Sequence, residues 1–317
     1  MNGAGDIQID GNARLRHLLT LDGLGRARIA ALLDRAAALR AAYRSGELPR
    51  LLAGRTVMNL FFEASTRTRT SFELAARRLG ADVVNFDIAS SSTSKGETLE
   101  DTQATLEAMD ADAFIVRHRE NGTPARFARH SRRAAVVNAG DGNHAHPTQG
   151  LLDLLTIRDR RGDVEGLNVT ICGDVRHSRV ARSDVDGLKA LGAAEIRLCG
   201  PSALLPPASE FPGCRLVEDF DEALDGTDVV VMLRLQKERM QNTLGVDEAG
   251  YFAAYGLTSK RLARARRDAI VMHPGPMNRG IEIADDVADG ARSVILDQVA
   301  NGIFVRMAVL AELLADR

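Results

Sequence analysis

The stretch Thr56–Gly80, TVMNLFFEASTRTRTSFELAARRLG, constrains the fold more than any other part of the chain, because it reads as a buried strand running straight into an anion-binding helix. The apolar run Thr56–Phe62 predicts the strand. The helix is predicted over Thr66–Leu79: Phe72, Ala75, Ala76 and Leu79 recur at helical spacing on one face, and Gly80 stands where a left-handed C-cap belongs. Ser65 is then the N-cap. A helix start leaves backbone N–H groups without acceptors and carries the positive end of the macrodipole, so a first turn of Ser65, Thr66, Arg67, Thr68 and Arg69 suits a phosphate. Residues 67 and 69 lie about 200° apart on a helix, so one anion is faced by one guanidinium. Arg69 precedes Phe72 by one turn and is assigned to an internal ion pair, which leaves Arg67 for the ligand. The competing reading is a capped surface helix with two solvated arginines.

At 317 residues the chain suits two α/β domains sharing a cleft, each with its own core. A net charge of −2 gives no reason to expect nucleic acid or an anionic membrane as the main partner. The cysteines, Cys172, Cys199 and Cys214, form no C-x-x-C pair and no His/Cys metal spacing, which points to a reduced compartment and to no structural metal. No apolar run approaches the ~20 residues of a membrane span, and the polar, Gly-rich start does not resemble a signal peptide, so a cytoplasmic protein is expected. Lysine occurs only at 95, 189, 237 and 260 in an arginine-rich chain, which makes Lys95 and Lys237, both inside motifs, informative.

In chain order, residues 1–13 read as a loose leader and Arg26–Arg44 as an Ala/Leu-rich helix with its apolar stripe at Ile29, Leu32, Leu33 and Ala36. Ala81–Asp87 is a second strand, Ile88–Gly96 a Ser/Thr-rich loop, and Thr98 with Asp101 a capping box for a helix to about Met109. Strands follow at Ala113–Val116, ending in Arg117 and His118, and at Ala134–Asn138, ending in AGDGNHAHPTQG. This alternation predicts a mostly parallel sheet, whose ligands sit beyond the carboxyl ends of its strands, where Ser65, Arg117 and His146 all fall. The helix 150–162 joins the halves. Asn168–Asp174 opens a second sheet with a helix at Arg179–Leu191 and strands at 195–199, 228–233 and 269–272. Pro201–Pro212 is a proline-rich connector, Gln236–Ala254 a long polar loop and candidate lid, and Val294–Leu314 a pair of helices that could return to the first domain. The expected division is 1–149, 150–300 and a C-terminal helix at 301–317.

FFEASTRTRTSFE resembles the carbamoyl-phosphate signature of the aspartate and ornithine carbamoyltransferases, and HPTQ at 146–149 resembles that family's second signature. The resemblance implies two doubly wound domains with mostly parallel sheets. It implies carbamoyl-phosphate binding by Ser65, Thr66, Arg67, Thr68, Arg117, His146 and Gln149, with Arg117, His146 and Thr68 polarising the carbonyl and Gln149 orienting the carbamoyl nitrogen. Such chemistry needs no covalent nucleophile, metal or cofactor. Consistently, the chain carries no G-x-S-x-G, no H-E-x-x-H and no Walker P-loop. HPGPMNR, 273–279, follows a strand; the resemblance places carbamoyl NH2 contacts at Pro274 and Gly275, whereas the residues alone describe a tight turn. His118 and His144 are read as structural.

A substrate with two carboxylates calls for arginine, and Arg179 and Arg234, with Gln236 alongside, sit after strands of the second half. RLQKER and KGETL resemble motifs of the aspartate-using members, and HPGP stands where ornithine-using members carry H-C-L-P. The implied reaction converts carbamoyl phosphate and L-aspartate to N-carbamoyl-L-aspartate and phosphate, in pyrimidine biosynthesis. The same resemblance implies a homotrimer in which Lys95, accompanied by Ser92 or Ser91, serves the neighbouring chain's site. It also raises a dihydroorotase-like or regulatory partner chain. The rival readings are an ornithine-type carbamoyltransferase, a nucleotide-binding module, which the lack of G-x-G-x-x-G after either first strand disfavours, and a non-catalytic family member.

Overall fold

The computed structural model describes residues 5–86, 98–235 and 246–315. The chain divides into two compact units, Met1–Leu152 with Ala300–Arg317, and Asp153–Val299. In chain order the first carries α1 (Gly5–Gln8), α2 (Gly25–Ser45), β1 (Thr56–Phe61), α3 (Thr66–Arg78), β2 (Asp82–Phe86), α4 (Leu99–Ala108), β3 (Ala113–His118), α5 (Thr123–His130), β4 (Ala135–Asp141) and the start of α6 (Pro147–Arg161). The second continues with β5 (Asn168–Cys172), α7 (Arg179–Leu191), β6 (Glu195–Cys199), β7 (Arg215–Val217), α8 (Phe220–Leu224), β8 (Val229–Met232), α9 (Glu248–Tyr255), α10 (Ser259–Leu262), β9 (Ile270–Met272) and α11 (Asp285–Ala288). The last helix, α12 (Ile295–Leu314), begins there and ends in the first unit.

Both sheets are parallel and flanked by helices, in the orders β2-β1-β3-β4 and β7-β6-β5-β8-β9. The central strands are buried on both faces, as parallel strands covered by crossover helices must be, and so read as continuous apolar runs. In β4 all of Ala135–Asp141 is buried, whereas edge strand β2 leaves Asp82, Val84 and Asn85 with one surface in solvent. Phe114 and Phe127 meet edge-on at 6.3 Å within the first core, and burying each such ring contributes about 1.5–3 kcal/mol.

Several local expectations change. The leader is anchored from Gln8 onward: Gln8 is 1% exposed and its side-chain oxygen accepts from the Leu19 and Thr20 amides at 2.6 and 2.9 Å. The polar stretch after Val246 is not all loop, because Asp247 caps Gly250 and starts α9, whose Tyr251 is buried. The C-terminal pair is one helix. Gly302 sits inside it because a Cβ there would come within 2.6 Å of the buried Arg306 guanidinium.

Candidate active site

In the first unit, β1 ends at Phe61 and Ser65 takes an extended conformation as the N-cap of α3, with its hydroxyl capping no amide of the helix. Arg69 is the first residue whose amide finds a helical acceptor, the Ser65 carbonyl at 3.1 Å. The amides of Thr66, Arg67 and Thr68 therefore point forward from the helix start, beside hydroxyls that cap nothing, and this is the electrostatics an anion requires. Thr66 and Arg67 are exposed and Thr68 half-buried. Phe72, Ala75 and Ala76 seat the opposite face in the core, and Gly80, at φ 89°, ends the helix as the sequence predicts.

The internal arginine of this helix is not the expected one. Arg69 is exposed and its electrostatic neighbour is Glu73, whose carboxylate is held below its usual range first by Asn85 and then by Arg77. Support comes instead from Arg306 of α12, 3% exposed. Its Nη1 donates to Ser71 Oγ at 2.9 Å and its guanidinium lies 5.0 Å from the Phe72 ring centroid. The buried arginine beside this helix thus comes at long range from the last helix, not from Arg69.

Arg117 lies inside β3 rather than past it, because the strand runs on to His118 through a register shift against β4. Its carbonyl accepts from Phe62 N at 2.8 Å, fixing it beside the end of β1. The guanidinium, 10% exposed, donates to the Ala139 carbonyl at 3.1 Å and to Glu63 at 2.5 Å. Glu63, directly after β1, is a partner that sequence reading missed. It holds the arginine at the strand ends.

His146, 4% exposed, immediately precedes α6, and its carbonyl accepts from Gln149 and Gly150 at 2.9 and 3.2 Å. Pro147 opens the helix, a position that needs no N–H, so HPTQ is the first turn itself rather than a loop before it. Gln149 is 9% exposed. The preceding turn is tied down by Asp141, which accepts from Gly122 N at 2.7 Å and pairs with His144 at 3.0 Å. His118 packs edge-on against Phe62, accepts from Glu120 N, and is pushed below its usual pKa by burial. Both histidines are occupied by structure, as expected. Ser65, Arg117 and His146 thus stand at the carboxyl ends of the neighbouring strands β1, β3 and β4.

In the second unit Arg179 is the first residue of α7, half-buried, behind the cap that Ser178 Oγ makes to Ala181 N at 3.1 Å. Arg234 is exposed, but its backbone is pinned on both sides. Leu233 N donates to Cys172 O at 2.7 Å, and Leu235, 1% exposed, donates to Glu282 at 3.2 Å and accepts from Asn278 Nδ2 at 3.1 Å. Glu282 is fully buried and also accepts from the Asn278 backbone at 2.9 Å, so one carboxylate binds the root of Arg234 to the turn after β9. In that turn Gly275 has φ 64°, the Gly275–Pro276 bond is cis, and Pro274 and Gly275 are half-buried. His273 Nδ1 accepts from Gly275 N at 2.8 Å. Ser91, Ser92, Lys95 and Gln236 lie outside the described residues. Among the described residues no cluster of three His, Cys, Asp or Glu is placed to hold a metal, and no helix is long and apolar enough to cross a membrane.

Residues 16–159 match the carbamoyl-P binding domain of aspartate/ornithine carbamoyltransferase, and residues 165–313 match the Asp/Orn binding domain. The aspartate carbamoyltransferase catalytic subunit of Xanthomonas campestris pv. campestris (strain B100) is 58% identical over 312 residues, covering 97% of this chain and 99% of that one. That of Stenotrophomonas maltophilia (strain R551-3) is 55% identical over 311 residues, 97% and 98% of the two chains. Aspartate transcarbamoylase from Trypanosoma cruzi, solved with carbamoyl phosphate, has a TM-score of 0.87 at 33% identity over 96% of this chain and 98% of that chain. Its complex with N-(phosphonacetyl)-L-aspartic acid has a TM-score of 0.86 with the same identity and coverage. The chain belongs to the aspartate/ornithine carbamoyltransferase family.

Proposed function

We propose that this chain is an enzyme that transfers the carbamoyl group of carbamoyl phosphate to the amine of L-aspartate, giving N-carbamoyl-L-aspartate and phosphate, a step of pyrimidine biosynthesis. The observation that carries the choice of aspartate is near full-length similarity, at 58% identity, to relatives named for that substrate. Arg179 and Arg234, set after β5 and β8, agree with it. In this reading the amides of α3 and the side chains of Ser65, Thr66, Arg67 and Thr68 hold the phosphate. Arg117, His146 and Thr68 polarise the carbonyl, Gln149 orients the carbamoyl nitrogen, and the Pro274 and Gly275 carbonyls accept from the carbamoyl NH2. Arg179, Arg234 and Gln236 take the two carboxylates of aspartate.

The amine attacks the carbonyl carbon, the C–O bond to phosphate breaks, and the proton lost by the amine leaves with the phosphate. Preorganised donors stabilise the charge that develops, so no covalent intermediate is needed. Phosphate release, followed in parallel with L-aspartate and L-ornithine, tests the assignment: turnover with aspartate alone is expected, and turnover with ornithine alone would replace it with the ornithine-type reading.

The working assembly in this reading is a homotrimer of cytoplasmic chains, with room for a dihydroorotase-like or regulatory partner. Lys95, with Ser92, serves the neighbouring chain's site, where an ammonium adds positive charge at the leaving phosphate and takes part in aspartate binding. Mixing Lys95→Ala chains with His146→Ala chains tests this: hybrid trimers should regain activity, and hybrids that stay inactive would confine Lys95 to its own chain.

A further inference from the structure

A polar chain runs through the second unit behind the turn after β9. Asp184 on α7 is 3% exposed, and among the described residues no N–H or hydroxyl group donates to either of its buried carboxyl oxygens. The hydrogen-bonding neighbour of this carboxyl is another carboxyl, Asp153 on α6, itself 2% exposed. Two carboxylates repel, and they bond only when one carries a proton. Asp153 Oδ1 also accepts from Gln298 Nε2 of α12 at 2.6 Å. The negative charge therefore belongs on Asp153, which has a donor, and the proton on Asp184, which has none. Burial first, then Asp153 and the neighbouring Asp186, pushes the Asp184 carboxyl well above its usual range.

The chain continues toward the turn. Gln298 Oε1 accepts from His273 N at 2.9 Å, and His273 Nδ1 accepts from Gly275 N at 2.8 Å. Reversing the Gln298 amide would set its NH2 against the His273 N–H and its oxygen against the Asp153 carboxylate, so its orientation is dictated from the acid end. Every link has one direction: Asp184 donates to Asp153, which accepts from Gln298, which accepts from His273.

We infer that Asp153, Asp184 and Gln298 are positioning residues for the proposed carbamoyl transfer: a buried, proton-bridged acid pair orients the Gln298 amide, which fixes the backbone at His273 and so aims the Pro274 and Gly275 carbonyls. This rests on the reading that those carbonyls face the carbamoyl nitrogen. Asp184→Asn keeps a donor toward Asp153 while removing the acid proton. Asp153→Leu removes the acceptor for Gln298 Nε2 and leaves the amide free to turn against His273 N. It should lower kcat/KM for carbamoyl phosphate by about tenfold, the effect of misplacing one or two hydrogen bonds. The Kd for inorganic phosphate, which the first unit binds in this reading, should not move. Gln298→Leu removes the acceptor for His273 N while keeping both carboxyls, and should show the same split where Asp153→Leu does not fold.

An infrared difference spectrum between wild type and Asp184→Asn at neutral pH should contain a protonated-carboxyl band, whether or not the enzyme turns over. Absence of that band overturns the proton bridge. Unchanged kcat/KM in Asp153→Leu and Gln298→Leu, with melting alone lowered, overturns the positioning role. Wild type inactive toward aspartate would instead defeat the function on which this inference rests, and the infrared result would still decide the acid pair.

Discussion

The two units present charge to small anions by different means. In the first, the proposed binding groups gather at helix starts: Ser65 and three forward-pointing amides open α3, and His146 and Pro147 open α6. In the second, the candidate ligands Arg234, Pro274 and Gly275 lie on turns, and the turns are held by buried acids, Glu282 beneath Leu235 and the Asp153–Gln298 link beneath His273. A helix start is rigid by virtue of its own hydrogen bonds, whereas a turn must borrow rigidity from what packs under it. Damage to the first site should therefore follow from changing the ligands, and damage to the second from changing either the ligands or the buried acids.

The largest expected effect is at Arg67. Arg67→Ala should lower kcat by about 10²–10³-fold, the usual loss for one preorganised donor at a charged centre. Melting should stay within experimental error because the side chain is exposed. Next, Arg234→Ala should raise the KM for aspartate by about 10–100-fold, since a charge-assisted contact to a carboxylate contributes about 1.5–3 kcal/mol. The KM for carbamoyl phosphate should change little. A large loss of thermal stability in either variant would break the distinction between ligand and support.

A smaller pair of effects separates the two arginines near α3. Arg306→Met removes a buried guanidinium from Ser71 and Phe72 and should cost about 1–3 kcal/mol of stability, whereas exposed Arg69→Ala should stay within about 0.5 kcal/mol. Equal melting shifts would return the supporting role to Arg69.

A further effect concerns pH. Asp184 has a raised pKa when folded, so its contribution to stability is fully present below the ordinary carboxylate value and is lost as pH rises toward the folded one. The groups facing it are Asp153 on α6 and Asp186 on its own helix, with uncharged Gln298 beyond Asp153. Asp184→Asn should therefore gain on wild type in melting temperature from about pH 4 upward. A constant difference across that range would mean that no proton is held there.

Regular period made much of the fold legible. β1, α3, α7 and β6 carry long apolar runs or unbroken helical stripes, and their positions agree with the sequence to within a residue or so. Helix α5, TPARFARH, escaped because eight residues hold too few apolar positions to show a period, and β7 escaped because a three-residue edge strand pairs only with β6. The pair of helices expected at the C-terminus is one helix, in which Gly302 answers to Arg306 one turn on. The candidate site followed the same logic. Residues in contiguous motifs, from Ser65 to Thr68 and from His146 to Gln149, were legible as candidates, because the backbone geometry around them is local. Glu63, Glu282, Asp153, Asp184 and Arg306 were not, because a buried charged residue looks in sequence like a surface one, and its partner lies at long range.

The contrast between the units is tested most directly by calorimetry with two simple anions, inorganic phosphate and, in its presence, the dicarboxylate succinate, on wild type, Arg67→Ala and Arg234→Ala. Wild type should bind both. Arg67→Ala should lose phosphate, and Arg234→Ala should bind phosphate as wild type does but lose succinate. Loss of phosphate by Arg234→Ala, or full phosphate affinity in Arg67→Ala, would contradict the assignment of the phosphate to the first unit and the carboxylates to the second.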